Sequence, residues 1–130
     1  MKNIIIILLL SIFNHSYAQK AYSTIYGNLG IIGKRTLTLE EAKGIKGVDA
    51  FYISAKGEVV SVEVYSYMLL VVSGTDTSVY VNNNGRLTTE MQQKLNQLKS
   101  PCHLVFQEII ARFPESGERQ NLTYIPIDIK

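Results

Sequence analysis

The sequence VVSVEVYSY, residues 59–67, alternates apolar and polar side chains. Successive side chains of a β-strand point to opposite faces, so the valines at positions 60, 62 and 64 share one face and Ser61 and Glu63 share the other. Tyr65 and Tyr67 continue the second row. One apolar and one polar face are typical of an antiparallel sheet packed on a core from one side, so this stretch predicts a mainly β fold.

Turn-forming residues divide the surrounding sequence into further short strands. Residues 55–58 predict a hairpin turn because Gly57 tolerates a positive φ, and residues 73–76, 82–85 and 113–117 predict further turns. The apolar run after residue 67 indicates that the strand enters the core or passes a bulge. Other strands are predicted at residues 50–54, 77–81, 104–112, 119–122 and 125–129. Residues 21–26 are either a short edge strand or a disordered lead.

Two helices are predicted from capping patterns. Thr38 with Glu41 three residues later is a capping box, and Gly44 ends this first helix within about two turns. A second helix is predicted over residues 89–99, capped by Thr89 with Gln92. Its apolar residues form one narrow stripe, which predicts packing on the body of the domain. The members of that stripe are Met91, Leu95 and Leu98.

The strand lengths and turn spacing predict an immunoglobulin-like antiparallel β-sandwich with one or two short helices. Residues 19–130 suit a single domain. This part of the chain has one cysteine, Cys102, so no disulfide can form within it and packing alone must hold the fold.

The first eighteen residues have the pattern of a secretory signal peptide. Lys2 supplies a positive start, an apolar run follows from Ile4, and the small residues Ser16 and Ala18 stand at the −3 and −1 positions before Gln19. The apolar run is short for a transmembrane helix; an uncleaved membrane anchor is the alternative. We therefore expect cleavage between Ala18 and Gln19 and a periplasmic or extracellular protein that is not inserted in the membrane.

The charge of the remaining 112 residues is close to balanced, with 12 basic and 11 acidic side chains. Nucleic-acid binding requires a basic stripe and polybasic membrane contact requires a cluster of cations, so neither class of partner is expected. No phosphate-binding glycine loop and no cofactor fingerprint occur, and we expect no cofactor.

The residue types needed for catalysis are sparse. His103 is the one histidine after the leader, and its neighbour Cys102 would point to the opposite face of a strand, so the two side chains cannot share a proton or a metal ion. Glu63 and Glu108 could approach across strands as the carboxylate pair of a small hydrolase. Solvated surface is the favoured interpretation of these acids, so no catalytic or metal-binding residue is predicted.

A recognition surface is predicted instead. Tyr65 and Tyr67 offer flat apolar rings with hydroxyls on the polar face, although a second packed sheet would equally explain them. Asn83, Asn84 and Glu115 lie in the predicted turns and are either recognition loops or ordinary turns.

The chain resembles the C-terminal domain of GldM, a periplasmic protein of the gliding and type IX secretion machinery of the Bacteroidota. The resemblance rests on a series of matches in the same order along the chain. They are Thr38–Ala42, Gly47–Val48, Val60–Val62, Gly85–Met91, Leu95–Lys99, Val105–Ile109, Phe113–Gly117 and Leu122–Ile127. Pro101 and Cys102 depart from the family pattern, and the turn after Phe113 is one residue longer.

The resemblance implies an immunoglobulin-like β architecture and a role in binding envelope proteins of that machinery. Energy transduction is not expected to carry over, because we expect no counterpart of the family's membrane helix in this chain. The leading hypothesis is an exported, non-enzymatic interaction domain with an envelope protein as partner. The alternatives are the small secreted hydrolase and a periplasmic inhibitor or immunity-type protein. The sequence does not indicate an oligomeric state.

Overall fold

The computed structural model describes residues 20–27 and 35–130. The predicted signal peptide and its cleavage site, Ala18–Gln19, lie outside these residues and stay predictions. The described elements, in chain order, are β1 (Ala21–Gly27), β2 (Thr36–Leu37), α1 (Leu39–Lys43), β3 (Ile45–Ile53), β4 (Val59–Ser73), β5 (Asp76–Asn82), α2 (Thr89–Asn96), β6 (Cys102–Arg112), β7 (Arg119–Leu122) and β8 (Ile125–Ile129).

Two long central strands, β4 and β6, organise the sheet. β4 and β6 pair with each other. Along its other edge, β4 pairs first with β3 and then with β5, and β6 pairs first with β8 and then with β7. β1 lies outside β3, and the short β2 pairs with β8 in parallel. All the other pairings are antiparallel. The predicted mainly β, antiparallel, sandwich-like class with two short helices is confirmed.

β4 and β6 each contain one β-bulge. On one side of each bulge the buried side chains have even residue numbers, and on the other side they have odd residue numbers. Val64 lies opposite Ala111 and Ser66 opposite Ile110, so Tyr65 is an extra residue on β4. A second shift follows on β6, where Glu108 has a φ of 50°. A bulge adds one residue to one strand, so beyond it the odd-numbered and even-numbered positions exchange faces. Buried side chains on β4 therefore change from positions 62 and 64 to positions 67, 69 and 71.

The first bulge makes the predicted row of two tyrosines wrong. Tyr65 remains on the outer face with Glu63, whereas Tyr67 turns inward, is only 2% exposed and packs against Phe106. Strict alternation from Val60 onward places Tyr67 outside because it does not include the extra residue.

Both helices contribute buried side chains to the core. Thr38 caps α1 in the predicted capping box, with both reciprocal hydrogen bonds formed to Glu41. α2 is capped by Thr88 rather than the predicted Thr89, because the Thr88 hydroxyl accepts from the Met91 N–H. Met91, Leu95 and Leu98 are buried, so the predicted packing of this stripe on the domain is confirmed.

The strands β1 and β7 meet through side chains instead of a backbone ladder. The Gln120 carboxamide donates to the Ala21 carbonyl at 3.3 Å and accepts from the Ala21 N–H at 3.2 Å. The Ser23 hydroxyl donates to the Thr123 carbonyl. These contacts join the first described strand to the hairpin of β6 and β7 without regular pairing.

Candidate functional site

A row of charged side chains crosses the outer face of the sheet where β4, β6 and β7 lie side by side. The ladder places Glu63 opposite Arg112 and Arg112 opposite Arg119. Arg112 donates from Nε and Nη2 to both carboxylate oxygens of Glu63, at 2.8–3.1 Å. A forked guanidinium–carboxylate pair of this kind fixes orientation as well as charge.

Tyr65 lies beside this row and carries both guanidinium groups over its ring. The Arg119 guanidinium carbon is 3.9 Å from the ring centroid and that of Arg112 is 5.2 Å away. Both distances are within the range of cation–π attraction, which contributes about 0.5–1 kcal/mol at an exposed site. Because Glu63 holds Arg112 in turn, the four side chains restrain one another; we call Glu63, Tyr65, Arg112 and Arg119 the arginine–tyrosine cluster.

A groove of about 450 Å³ adjoins the cluster through Glu63. Its floor comes from β3 and β4 and its wall comes from the loop after β5. The floor includes Val48, Asp49, Ser61, Glu63 and Val64, and the wall consists of Asn83, Asn84, Gly85 and Arg86. Carboxylate, hydroxyl, amide and guanidinium groups therefore meet in one open cleft, which suits polar recognition.

Backbone hydrogen bonds hold the wall of this groove against β3. The Val48 N–H donates to the Gly85 carbonyl at 2.8 Å, and the Leu87 N–H donates to the Lys46 carbonyl at 2.9 Å. The Asn84 side-chain oxygen accepts from the Arg86 N–H at 2.8 Å, which is the local turn that asparagine favours. The predicted loop residues Asn83 and Asn84 are thus exposed on a fixed loop.

Tyr67 belongs to a buried polar network with Asn82 and Met91. Asn82, the one buried polar residue in the described part of the chain, donates from Nδ2 to the Tyr67 hydroxyl at 3.1 Å and also to the Arg86 carbonyl. The Tyr67 hydroxyl donates to Met91 Sδ at 3.6 Å. Burial raises the pKa of Tyr67, and the Asn82 hydrogen bond opposes this in part. The predicted surface role of Tyr67 is therefore wrong, since its ring and hydroxyl are committed to the core.

Glu115 is exposed at the tip of the β6–β7 hairpin, in the predicted turn. The turn is closed by hydrogen bonds from the Phe113 N–H to the Glu118 carbonyl and from the Gly117 N–H to the Phe113 carbonyl. Arg112 and Arg119 stand at the base of the same hairpin. The structure therefore connects Glu115 to the cluster through a short, hydrogen-bonded turn.

The side chains of Cys102 and His103 lie on opposite faces of β6. Cys102 is buried while His103 is exposed on the opposite face, and burial raises the pKa of the Cys102 thiol although the positive charge of Lys94 lowers it in part. His103 Nδ1 lies 2.6 Å from Asp128 Oδ1, a cross-strand pair in which both side chains are mostly exposed. Residues 20–27 and 35–130 contain no group of three or more potential ligands placed to hold a metal ion.

The carboxylate pair considered for hydrolysis does not form. Glu63 lies opposite Arg112, whereas Glu108 is four residues earlier on β6, roughly 13 Å along a strand at ~3.3 Å per residue. Both oxygens of Glu63 accept hydrogen bonds from Arg112. Asp49 is the other acid on the groove, and it was not among the sequence candidates.

Sequence reasoning also missed both arginines of the cluster. The signal was available: residue 112 directly precedes the predicted turn and residue 119 follows it by two positions, so a hairpin through that turn brings them close together. Only the pairing of β4 with β6, which no local pattern specifies, brings this arginine pair to Tyr65 and Glu63.

Neither helix in the described ranges has the length and apolar character needed to cross a bilayer. The sequence matches no protein-family model and no curated protein.

Proposed function

We propose that this chain is an exported, non-enzymatic protein-interaction domain and that the arginine–tyrosine cluster with its adjoining groove is the contact surface. The observation that carries the proposal is the arrangement of Arg112 and Arg119 over the Tyr65 ring, with Arg112 held by Glu63. Tyrosine and arginine are enriched among the residues that dominate binding energies at protein interfaces.

The restraint of these side chains supports a binding role more strongly than their residue types do alone. Ordering a free arginine side chain at an interface costs about 0.5–1.5 kcal/mol, and side chains that are already stacked and paired lose less on association. The groove beside the cluster supplies hydrogen-bonding groups from Asn83, Asn84 and Ser61 around that anchor. A partner surface with an acidic or carbonyl-rich segment would complement the two guanidinium groups.

Export rests on the leader of residues 1–18, and the finer assignment rests on the resemblance to the GldM C-terminal domain. On this proposal the partner is an envelope protein of the gliding or type IX secretion machinery. The mainly β, sandwich-like fold agrees with the architecture that the resemblance implies.

The test is quantitative affinity capture from the cell envelope, with the purified protein and the variant Arg119→Ala as paired baits. Arg119 is exposed, so its truncation is expected to leave the fold unchanged, and loss of a central interface arginine should weaken a specific partner at least about tenfold. Arg35→Ala, at an exposed arginine on the β2 side of the molecule, is the matched control.

A partner retained equally by the wild-type protein and both variants would contradict the assignment of the surface. Capture of no envelope protein above background by the wild-type bait would contradict the proposed function itself. Capture of components of the secretion machinery by the wild-type and Arg35→Ala baits, but not by Arg119→Ala, is the expected result.

A further inference from the structure

Within the described residues, the outer edge of β5 is an open strand edge. Among the described residues β4 is the one strand that pairs with β5, along all seven of its residues. β5 contains no proline, lysine or arginine, and its single charged residue, Asp76, stands at its first position. Soluble proteins usually protect such edges with prolines, charges or bulges, so an unprotected regular edge indicates a pairing surface.

The hairpin between β4 and β5 determines which backbone groups face outward. Ser73 and Asp76 close a two-residue turn through Gly74 and Thr75, so they form a hydrogen-bonded pair and the pairs alternate from there. The backbone groups of Ser78 and Tyr80 therefore point to β4. Those of Thr77, Val79 and Val81 point to the free edge.

The side chains of the same three residues lie on the outer face of the sheet. Val79 is 55% exposed and Val81 is 67% exposed, and they stand opposite Leu70 and Met68 of β4. The open edge thus carries both free hydrogen-bonding groups and uncovered β-branched side chains, which are favourable partners across antiparallel strands.

We propose that two copies of this chain associate by antiparallel pairing of β5 with β5, about a two-fold axis at Val79. In this register Val79 faces its own copy and Thr77 faces Val81, so all the outward N–H and C=O groups find partners. Asp76 faces Asn82, so no like charges oppose each other. A two-fold contact requires a self-complementary surface, and this strand satisfies that requirement in its register and its charge.

The size of the contact determines the concentration at which the dimer forms. Seven residues at ~3.4 Å each give an edge about 24 Å long, and a sheet is about 10 Å deep, so each copy contributes roughly 240 Å² of edge. Stable interfaces bury about 1,200 Å² or more in total, so a weak, concentration-dependent dimer is expected. Sedimentation analysis over a wide range of protein concentration should show the mass rising toward twice that of the monomer.

Cysteine cross-linking tests the register. Hydrogen-bonded residues across antiparallel strands have Cα atoms about 5.5 Å apart, within disulfide range, so Val79→Cys should cross-link to a dimer at least about tenfold faster than Val59→Cys. Val59 is the matched control because it is 69% exposed but lies at the other end of β4. The native Cys102 is buried and should not contribute.

Cross-linking between two different cysteine variants tests how the two β5 strands are aligned. Thr77→Cys and Val81→Cys should cross-link with each other, and each should cross-link poorly with itself, because the offset of four residues separates identical positions by about 13 Å. Equal self-linking by all three variants, or a monomer at every concentration, would overturn the proposal.

The variant Val79→Pro separates strand pairing from apolar contact. Proline keeps an apolar side chain but removes the outward N–H, and it is tolerated on an edge strand where that N–H faces solvent. We expect the dimer to be lost at concentrations where Val79→Thr still associates. A dimer unaffected by Val79→Pro would contradict pairing through β5. If Val79→Pro fails to fold, the cross-linking register decides the proposal by itself.

Discussion

Gly47 and Gly85 are the residues at which the β3 backbone and the loop after β5 come closest. A Cβ at Gly47 would lie 2.2 Å from the Gly85 carbonyl oxygen, and Gly47 has a φ of 155°. The hydrogen bond from Val48 to Gly85 depends on this close approach. The position of the groove wall therefore requires the absence of a side chain at residue 47.

Replacement of this glycine is expected to destabilise the fold. Gly47→Ala must displace backbone and not a flexible side chain, so its free energy of unfolding should fall by about 2–4 kcal/mol. Gly74→Ala is the control: Gly74 also has a positive φ, but a Cβ there meets nothing within 4 Å, and a loss of about 1 kcal/mol is expected. Urea unfolding of both variants checks the difference, and equal losses would contradict the close approach.

Tyr67 should make stability depend on pH in the alkaline range. Its folded pKa is raised above the unfolded value of about 10, so the folded state keeps the phenolic proton more tightly. This contribution is complete below about pH 10 and is lost as the pH rises through the folded pKa. The free energy of unfolding of the wild-type protein should therefore fall more steeply above pH 10 than that of Tyr67→Phe.

At neutral pH the wild-type protein should be more stable than Tyr67→Phe. Tyr67→Phe removes the acceptor of the Asn82 amide and should cost about 1 kcal/mol, so the two stability curves converge as the pH rises. Chemical denaturation at several pH values between 7 and 11 measures both effects. Parallel curves would show that the tyrosine titrates freely in the folded protein.

At the scale of the elements, two adjacent threonines at the start of α2 have different roles. Thr88 caps the helix through its hydroxyl, whereas Thr89 is its first residue and is exposed. Thr88→Ala should lower stability by about 1 kcal/mol, and Thr89→Ala should change it by less than about 0.5 kcal/mol. Thermal unfolding of the two variants gives the comparison, and the opposite order would restore the cap predicted from the Thr89–Gln92 spacing.

Local patterns predicted the elements whose causes are local. The Thr38–Glu41 capping box, the turn at Gly57 and the hairpin turn after Phe113 all depend on residues within five positions of one another. The bulges at Tyr65 and Glu108 depend on how β4 and β6 align across about forty residues, so the burial of Tyr67 was not predictable from alternation. For the same reason the sequence indicated Tyr65 but not its arginine partners.

At the scale of the whole molecule, Gln120 joins the chain's first described strand to the last hairpin. Its carboxamide replaces the ladder that β1 and β7 lack. Gln120→Met keeps a side chain of similar length but loses both hydrogen bonds, and should lower the free energy of unfolding by about 1–2 kcal/mol. Hydrogen exchange should accelerate at β1 amides more than at β6 amides. Uniform acceleration in both strands would contradict a local closure by this residue.

The paired bulges have a consequence for how related genes can diverge. Tyr65 is the residue that interrupts the alternation of β4, so deletion of its codon alone would leave positions 62, 64, 67, 69 and 71 in regular alternation on the buried face. The same holds for Glu108. Descendants of a common ancestor can therefore lose either additional codon independently, whereas loss of a codon far from both bulges would turn the side chains beyond it to the wrong face.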